Sequence, residues 1–215
     1  MKVKICGIKS EEAAIAVEEG GADFLGIIFV KGRTRYLDPE SAFRLCKNHR
    51  KIKKVGVFLR ETYDEVNRIA AETGIDYVQL HGYEDTSYAK KIKLPIIKAF
   101  RWDDDFDVKR INNYPCEIAL IDSFNAKVNG GTGETFNWLQ AKSKIECIRK
   151  PLFLAGGISE ENIEELKSIF PSENIGVDVS SSLEINNCKS PQKIMSFLNK
   201  VQSINVNHNL SHLLI

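Results

Sequence analysis

A small set of side chains in this sequence can titrate or grip an anion, and they fall at similar places in its pattern. A thiol, Cys6, closes the run Val3-Lys4-Ile5 and is followed at once by Gly7. Arg33 and Arg35 follow the apolar stretch Phe24 to Val30, His81 follows Leu80, and Asp122 follows Ile121. Gly156 and Gly157 follow Leu154-Ala155, and Ser180 and Ser181 follow Val179. Each has an ordinary explanation taken singly. A free cysteine is usually a small buried apolar group, Asp122 can open a loop, Arg35 can be a surface charge, and glycines make turns. Their common position at the ends of apolar runs is what needs explaining. The last two sites also have a joint physical use. Glycines allow backbone N–H groups to approach a ligand closely, and a helix start after Val179 would offer N–H groups to an anion. Together they point to a phosphorylated small-molecule substrate.

The elements that must position these groups follow from periodicity and punctuation. Val3 and Ile5 are β-branched and apolar, as a buried strand requires, and Gly7 turns the chain out of it. Ser10, with Glu11 and Glu12, caps a helix over residues 10–19 that Gly20 and Gly21 stop. Phe24 to Val30 is apolar on both faces, as a covered parallel strand is. Asp38 and Pro39 open a second helix. Val55 to Leu59 is the third strand, and Thr62 with Glu65 forms a capping-box pattern before the helix through Ala71. Further strands are predicted at Tyr77–Leu80, Ile96–Phe100, Ile118–Ile121, Leu152–Leu154 and Ile175–Val179. Helices are predicted over 84–91, Val108–Asn113, 137–147, after Ser159-Glu160-Glu161, and from Pro191 to Ile204. Strands that alternate with helices imply a parallel sheet. Eight such units, with no linker-like break, predict a single α/β domain, a closed (β/α)8 TIM barrel over residues 1–204, with a tail over 205–215. An open doubly wound sheet is the alternative, and it requires some of the short strands to be absent. In a barrel the strand C-terminal ends share one rim, where active sites form.

Composition narrows the function classes. The net charge of +1 gives no field for nucleic acid. The five cysteines, Cys6, Cys46, Cys116, Cys147 and Cys188, are dispersed without a paired C-x-x-C spacing, which argues against a disulfide framework or a zinc site. Lys2 and Lys4 interrupt the first residues and no apolar leader follows them. The apolar run Phe24 to Val30 is far too short to cross a bilayer. A cytoplasmic protein without nucleic-acid or membrane partners is expected.

Four segments in order carry a family resemblance. These are Lys4-Ile5-Cys6-Gly7-Ile8, then Val78-Gln79-Leu80-His81-Gly82, then Gly130-Gly131-Thr132-Gly133 with Thr135-Phe136-Asn137-Trp138, and Val177-Asp178-Val179-Ser180-Ser181. The sequence resembles the phosphoribosylanthranilate isomerases of tryptophan biosynthesis. That resemblance implies a (β/α)8 barrel, no cofactor or metal, a monomer or homodimer, and an Amadori rearrangement. The substrate would be N-(5-phosphoribosyl)anthranilate and the product 1-(2-carboxyphenylamino)-1-deoxyribulose 5-phosphate. Carried over by motif, Cys6 is the general base and Asp122 the general acid. Arg35 binds the anthranilate carboxylate, and Gly156, Gly157, Ser180 and Ser181 hold the phosphate. His81 and Asp178 match positions near the substrate.

The residue types suit that chemistry. Opening a furanose needs a proton at the ring oxygen, which a carboxylic acid can deliver, and the resulting iminium acidifies the neighbouring C–H for a thiolate to remove. Such a site requires the thiol pKa to be pulled down, or a minor protonation state to react. Two rivals are testable on structure. An aldolase on a similar barrel would use a lysine Schiff base, with Lys98 on the fifth strand as the candidate. A response-regulator-like module would need an open five-stranded sheet and an acidic cluster after the first strand, where this chain has Cys6.

Overall fold

The structure, a computed structural model, describes residues 1–122 and 137–212. The glycine-rich segment 130–133 and Thr135-Phe136 named above therefore lie outside the described residues. Eight parallel strands close into a barrel in chain order. They are β1 (Val3–Cys6), β2 (Phe24–Ile28), β3 (Lys53–Phe58), β4 (Tyr77–Leu80), β5 (Ile96–Arg101), β6 (Ile118–Asp122), β7 (Leu152–Ala155) and β8 (Ile175–Val179). Helices α1 (Glu11–Glu19), α2 (Pro39–Asn48), α3 (Tyr63–Thr73), α4 (Thr86–Ala89), α5 (Val108–Asn113), α6 (Trp138–Ile145), α7 (Ile163–Ile169) and α8 (Pro191–His212) follow the strands in turn. β1 pairs with both β2 and β8, which excludes the open sheet. Among the described residues no helix is long and apolar enough to cross a membrane.

Side chains alternate across each strand. One set, including Val3, Ile5, Leu25, Ile27 and Val177, packs beneath the helices. The other set fills the barrel, where Phe24 meets Tyr77 and Phe153 edge-on at 5.5 and 5.4 Å between ring centroids, in one cluster with Ile97, Ile118 and Leu120. This parity decides the lysine question. Ile97 and Ala99 belong to the interior, so Lys98 points out of the barrel. There its ammonium is buried against Glu84 Oε2 at 2.9 Å and accepted by the Gly82 carbonyl at 2.5 Å. It pins the loop after β4 and lies outside the barrel interior, so the aldolase reading falls.

The caps at Ser10 and Asp38 accept from Ala13 and Ser41 N–H as expected. The capping box at Thr62 is half made. Thr62 accepts from Glu65 N–H at 3.3 Å, but its own N–H donates to Glu61, because Glu65 is drawn into an ion pair with Arg68. Helix α7 begins later than the Ser159-Glu160-Glu161 signal. Asn162 Oδ1 accepts from Ser159 N–H across a turn, and the helix starts beyond it. α8 runs past Ile204 to His212, for no glycine or proline follows to stop it. Val201 is its last buried residue before exposed Val206. A hairpin not expected from sequence follows β8: after a 3₁₀ turn, Ser181–Leu183, strands β9 (Glu184–Ile185) and β10 (Cys188–Lys189) pair antiparallel. Its turn residues Asn186 and Asn187 take φ of 51° and 62°, the left-handed pair that a two-residue hairpin demands.

Candidate active site

The closing ladder between β1 and β8 builds the floor of the site. Lys4 sits beside Asp178 in register, and Cys6 beside Gly26 of β2. Both Lys4 and Cys6 point inward, two residues apart on one strand face. Lys4 is completely buried, with Nζ 2.8 Å from Asp178 Oδ1 and its charge close enough to act on the Cys6 thiol. Gly26 makes that arrangement possible. A Cβ there would stand 3.0 Å from Lys4 Nζ and 3.1 Å from Cys6 Sγ, so a side chain would press on both. Burial opposes the charge on Lys4, but Asp178 and Cys6 outweigh it and raise the ammonium's pKa. Burial pushes the Cys6 thiol up, with Lys4 pulling the other way. The thiol is thus not pulled down overall, and the thiolate is the minor form at neutral pH.

Going round the ring from Asp178, Ala155 of β7 lies in register, and Asp122 of β6 is next to it. Asp122 and Cys6 are therefore three strands apart on one rim. Asp122 Oδ2 is 3.2 Å from His81 Nε2, and His81 Nδ1 is 3.1 Å from Gln79 Nε2. An amide donating to Nδ1 leaves the proton on Nε2, where it points at Asp122. Cys6, Asp122, His81 and Asp178 thus share one mouth.

Arg35 reaches the same mouth from the loop after β2. Its side chain lies over Gly7, whose φ of +84° and lack of a Cβ leave room: a Cβ would come within 2.6 Å of Arg35 Cδ. The guanidinium donates from Nε and Nη2 to the two oxygens of Glu184 at 2.5 and 2.8 Å. That pair takes one edge of the guanidinium and leaves the Nη1–Nη2 edge for a second carboxylate. The hydrogen bonds that Arg35 donates to Glu184 raise its pKa. Burial works against the charge on Glu184, but Arg35 and Lys189 hold it below the usual carboxylate range. Lys189 is buried between Glu184 and Ser180 and donates to the carbonyl and hydroxyl of Ser180. Among the described residues Arg33 makes no side-chain contact of this kind.

At the expected anion site, Gly156 and Gly157 adopt φ of 92° and 66°. The Ser180 hydroxyl donates to the Cys6 carbonyl at 3.0 Å, so it ties β8 to β1. Ser182 donates to Ile158 O at 2.7 Å, which joins the loop after β8 to the loop after β7. The first N–H groups of the Ser181–Leu183 turn have no partner within that turn, and Ser181 is exposed. Lys4, Glu184 and Lys189 were not among the residues expected from sequence. Lys4 had a signal, a lysine two residues before Cys6 on an apolar strand, and the Asn186-Asn187 pair marked the hairpin. Among the described residues no group of three His, Cys, Asp or Glu side chains is placed to hold a metal ion.

Residues 3–200 match the family model described as N-(5'phosphoribosyl)anthranilate (PRA) isomerase. A curated relative of that name from Listeria welshimeri is 37% identical over 205 residues, covering 95% of this chain and all of the relative. A solved phosphoribosyl anthranilate isomerase in complex with reduced 1-(o-carboxyphenylamino)-1-deoxyribulose 5-phosphate aligns with a TM-score of 0.81 at 30% identity, over 94% of this chain and 99% of its own. So do mutually generated monomers of the dimeric Thermotoga maritima enzyme, with TM-score 0.81, 30% identity and the same coverages.

Proposed function

The chain belongs to the N-(5'-phosphoribosyl)anthranilate isomerase family, and on that footing we propose how its residues divide the work. The protein is an isomerase of tryptophan biosynthesis. It catalyses the Amadori rearrangement of N-(5-phosphoribosyl)anthranilate to 1-(2-carboxyphenylamino)-1-deoxyribulose 5-phosphate. In our reading Asp122 protonates the furanose oxygen, the C–O bond breaks, and the nitrogen lone pair forms the iminium. Cys6 then takes the proton from the adjacent carbon, and the C–H electrons pass into the enol-amine that tautomerises to product. Arg35 holds the anthranilate carboxylate, Asp178 and His81 border the sugar, and the loops at Gly156-Gly157 and Ser180-Ser181 hold the phosphate. The observation that carries this division is the position of Cys6 and Asp122, inward-facing and three strands apart on the same rim. We place the enzyme in the cytoplasm as a monomer or homodimer, acting on this phosphorylated small molecule without nucleic-acid or membrane partners. Loss of the substrate's fluorescence on adding the purified chain tests the reading, and a chain that leaves the substrate untouched overturns it.

Two results are expected at the binding ends. Arg35→Ala removes a charge-assisted carboxylate contact worth about 1.5–3 kcal/mol, a rise in KM of about 10- to 150-fold with kcat little changed. An unchanged KM would mean that Arg35 does not hold the carboxylate. At the other end, Ser181→Glu alters an exposed residue, so the fold should survive. A carboxylate there repels phosphate by about 1.4 kcal/mol or more, so competitive inhibition by inorganic phosphate should weaken about tenfold. Equal inhibition in wild type and variant would put the phosphate elsewhere.

A further inference from the structure

Lys4 has no part in the reaction as written above, yet its position is costly. A buried ammonium is stabilised only if its hydrogen bonds and charge are met, and most of the barrel interior around it is aromatic or aliphatic. A neutral residue at position 4 would avoid that cost. Instead the ammonium is fully buried, 2.8 Å from Asp178 Oδ1, and near enough for its charge to act on the Cys6 thiol. Gly26 gives up its side chain to admit nitrogen and sulfur against the same stretch of backbone. The floor of the site is a row of three titratable groups, carboxylate, ammonium and thiol, with the ammonium in the middle.

We propose that Lys4, steered by Asp178, is a positioning residue that supplies the positive charge against which the Cys6 thiolate forms. This rests on Cys6 being the base. While Cys6 is a thiol, the Lys4 charge is balanced by Asp178. When Cys6 is a thiolate, the same ammonium donates to both. When the thiolate takes the substrate proton, an S–H bond forms, a C–H bond breaks, and its electrons neutralise the iminium. Lys4 keeps its proton throughout. The other charges that face this row are Arg35 and Lys189, which favour the thiolate, and His81 and Asp122, which face Asp178 from the far side.

Protein labelled with 13C at cysteine Cβ, with the Cys6 signal identified by its loss in Cys6→Ser, reads the thiol directly. Lys4→Met/Asp178→Asn removes both charges of a buried pair at similar volume, a change that folds often tolerate. Loss of an opposite charge in contact moves a pKa by about 1–3 units; losing Asp178 offsets part of this, so the Cys6 midpoint should rise by less than that full span. The thiol-dependent limb of the kcat/KM profile should shift with it, which a merely structural defect would not do. Asp178→Asn alone should move the midpoint the opposite way, downward, because Lys4 then has only the thiolate to pair with; this variant decides if the double variant does not fold. Midpoints unmoved in folded variants, or moved with the wrong sign, overturn the proposal whatever Cys6→Ser does. Midpoints that move as expected while Cys6→Ser keeps its kcat uphold the pairing and overturn Cys6 as the base.

Discussion

Cys6→Ser should fold as the wild type does and lose about 10²–10⁴-fold in kcat, the span of a general base. Folding is expected to survive because serine is slightly smaller than cysteine and Gly26 leaves no side chain to refill the space. Lys4 can still donate to the hydroxyl. What is lost is an atom able to exist as an anion at accessible pH. KM should change little, since Cys6 is not assigned to ground-state binding. The pH dependence of the wild type adds a signed check. Burial raises the thiol pKa, so the thiolate fraction is small at neutral pH and grows with pH. The reacting form also needs a proton on the general acid, whose fraction falls as pH rises, so the kcat/KM profile should be bell-shaped. Steady-state fluorescence with a thermal melt on each variant measures both. A folded Cys6→Ser enzyme with near-wild-type kcat would leave that cysteine with a packing role only.

Asp122→Asn should lose as much, for a different reason. An amide preserves shape and still accepts the hydrogen bond from His81 Nε2, which is 3.2 Å from Asp122 Oδ2. It has no acidic proton to give the furanose oxygen, so kcat should fall about 10²–10⁴-fold with the site geometry kept. The two variants are distinguishable by isotope. In Asp122→Asn the ring opening becomes slow, so deuterium at the carbon that Cys6 deprotonates should have little effect on kcat. If that isotope effect instead grows, proton delivery is not what Asp122 does.

The architecture was legible because its signals are local. Capping residues, glycine stops and short apolar runs repeat along the chain, and closure follows from their number. The rim groups were legible for the same reason, since the end of a strand is a place in the sequence. What was hidden depends on residues far apart in the chain. Arg35 meets Glu184 across 149 positions, and the Ser180 hydroxyl meets the Cys6 carbonyl across 174. Lys98 and Lys4 look alike in sequence, each a lysine inside an apolar strand. Only the register of the closed ring sends one outward to Glu84 and the other inward to Asp178. The direction of the Cys6 shift was hidden too, because it is a balance between burial and a neighbour whose inward orientation the ring decides.

The ladder joining β1 to β8 has a consequence for how activity appears during folding. Lys4 and Asp178 are separated by 174 positions, so their contact closes a loop that takes in nearly the whole barrel. Contacts of large sequence separation come at the highest chain entropy and tend to form late. The thiol environment, the Lys4–Asp178 pair and the tie from Ser180 to Cys6 all straddle this seam. A partly folded chain with six or seven strands paired can therefore have most of its hydrophobic core while the thiol end of its site is still unassembled. The enzyme's turnover is an indicator of ring closure itself, silent until the first and last strands meet.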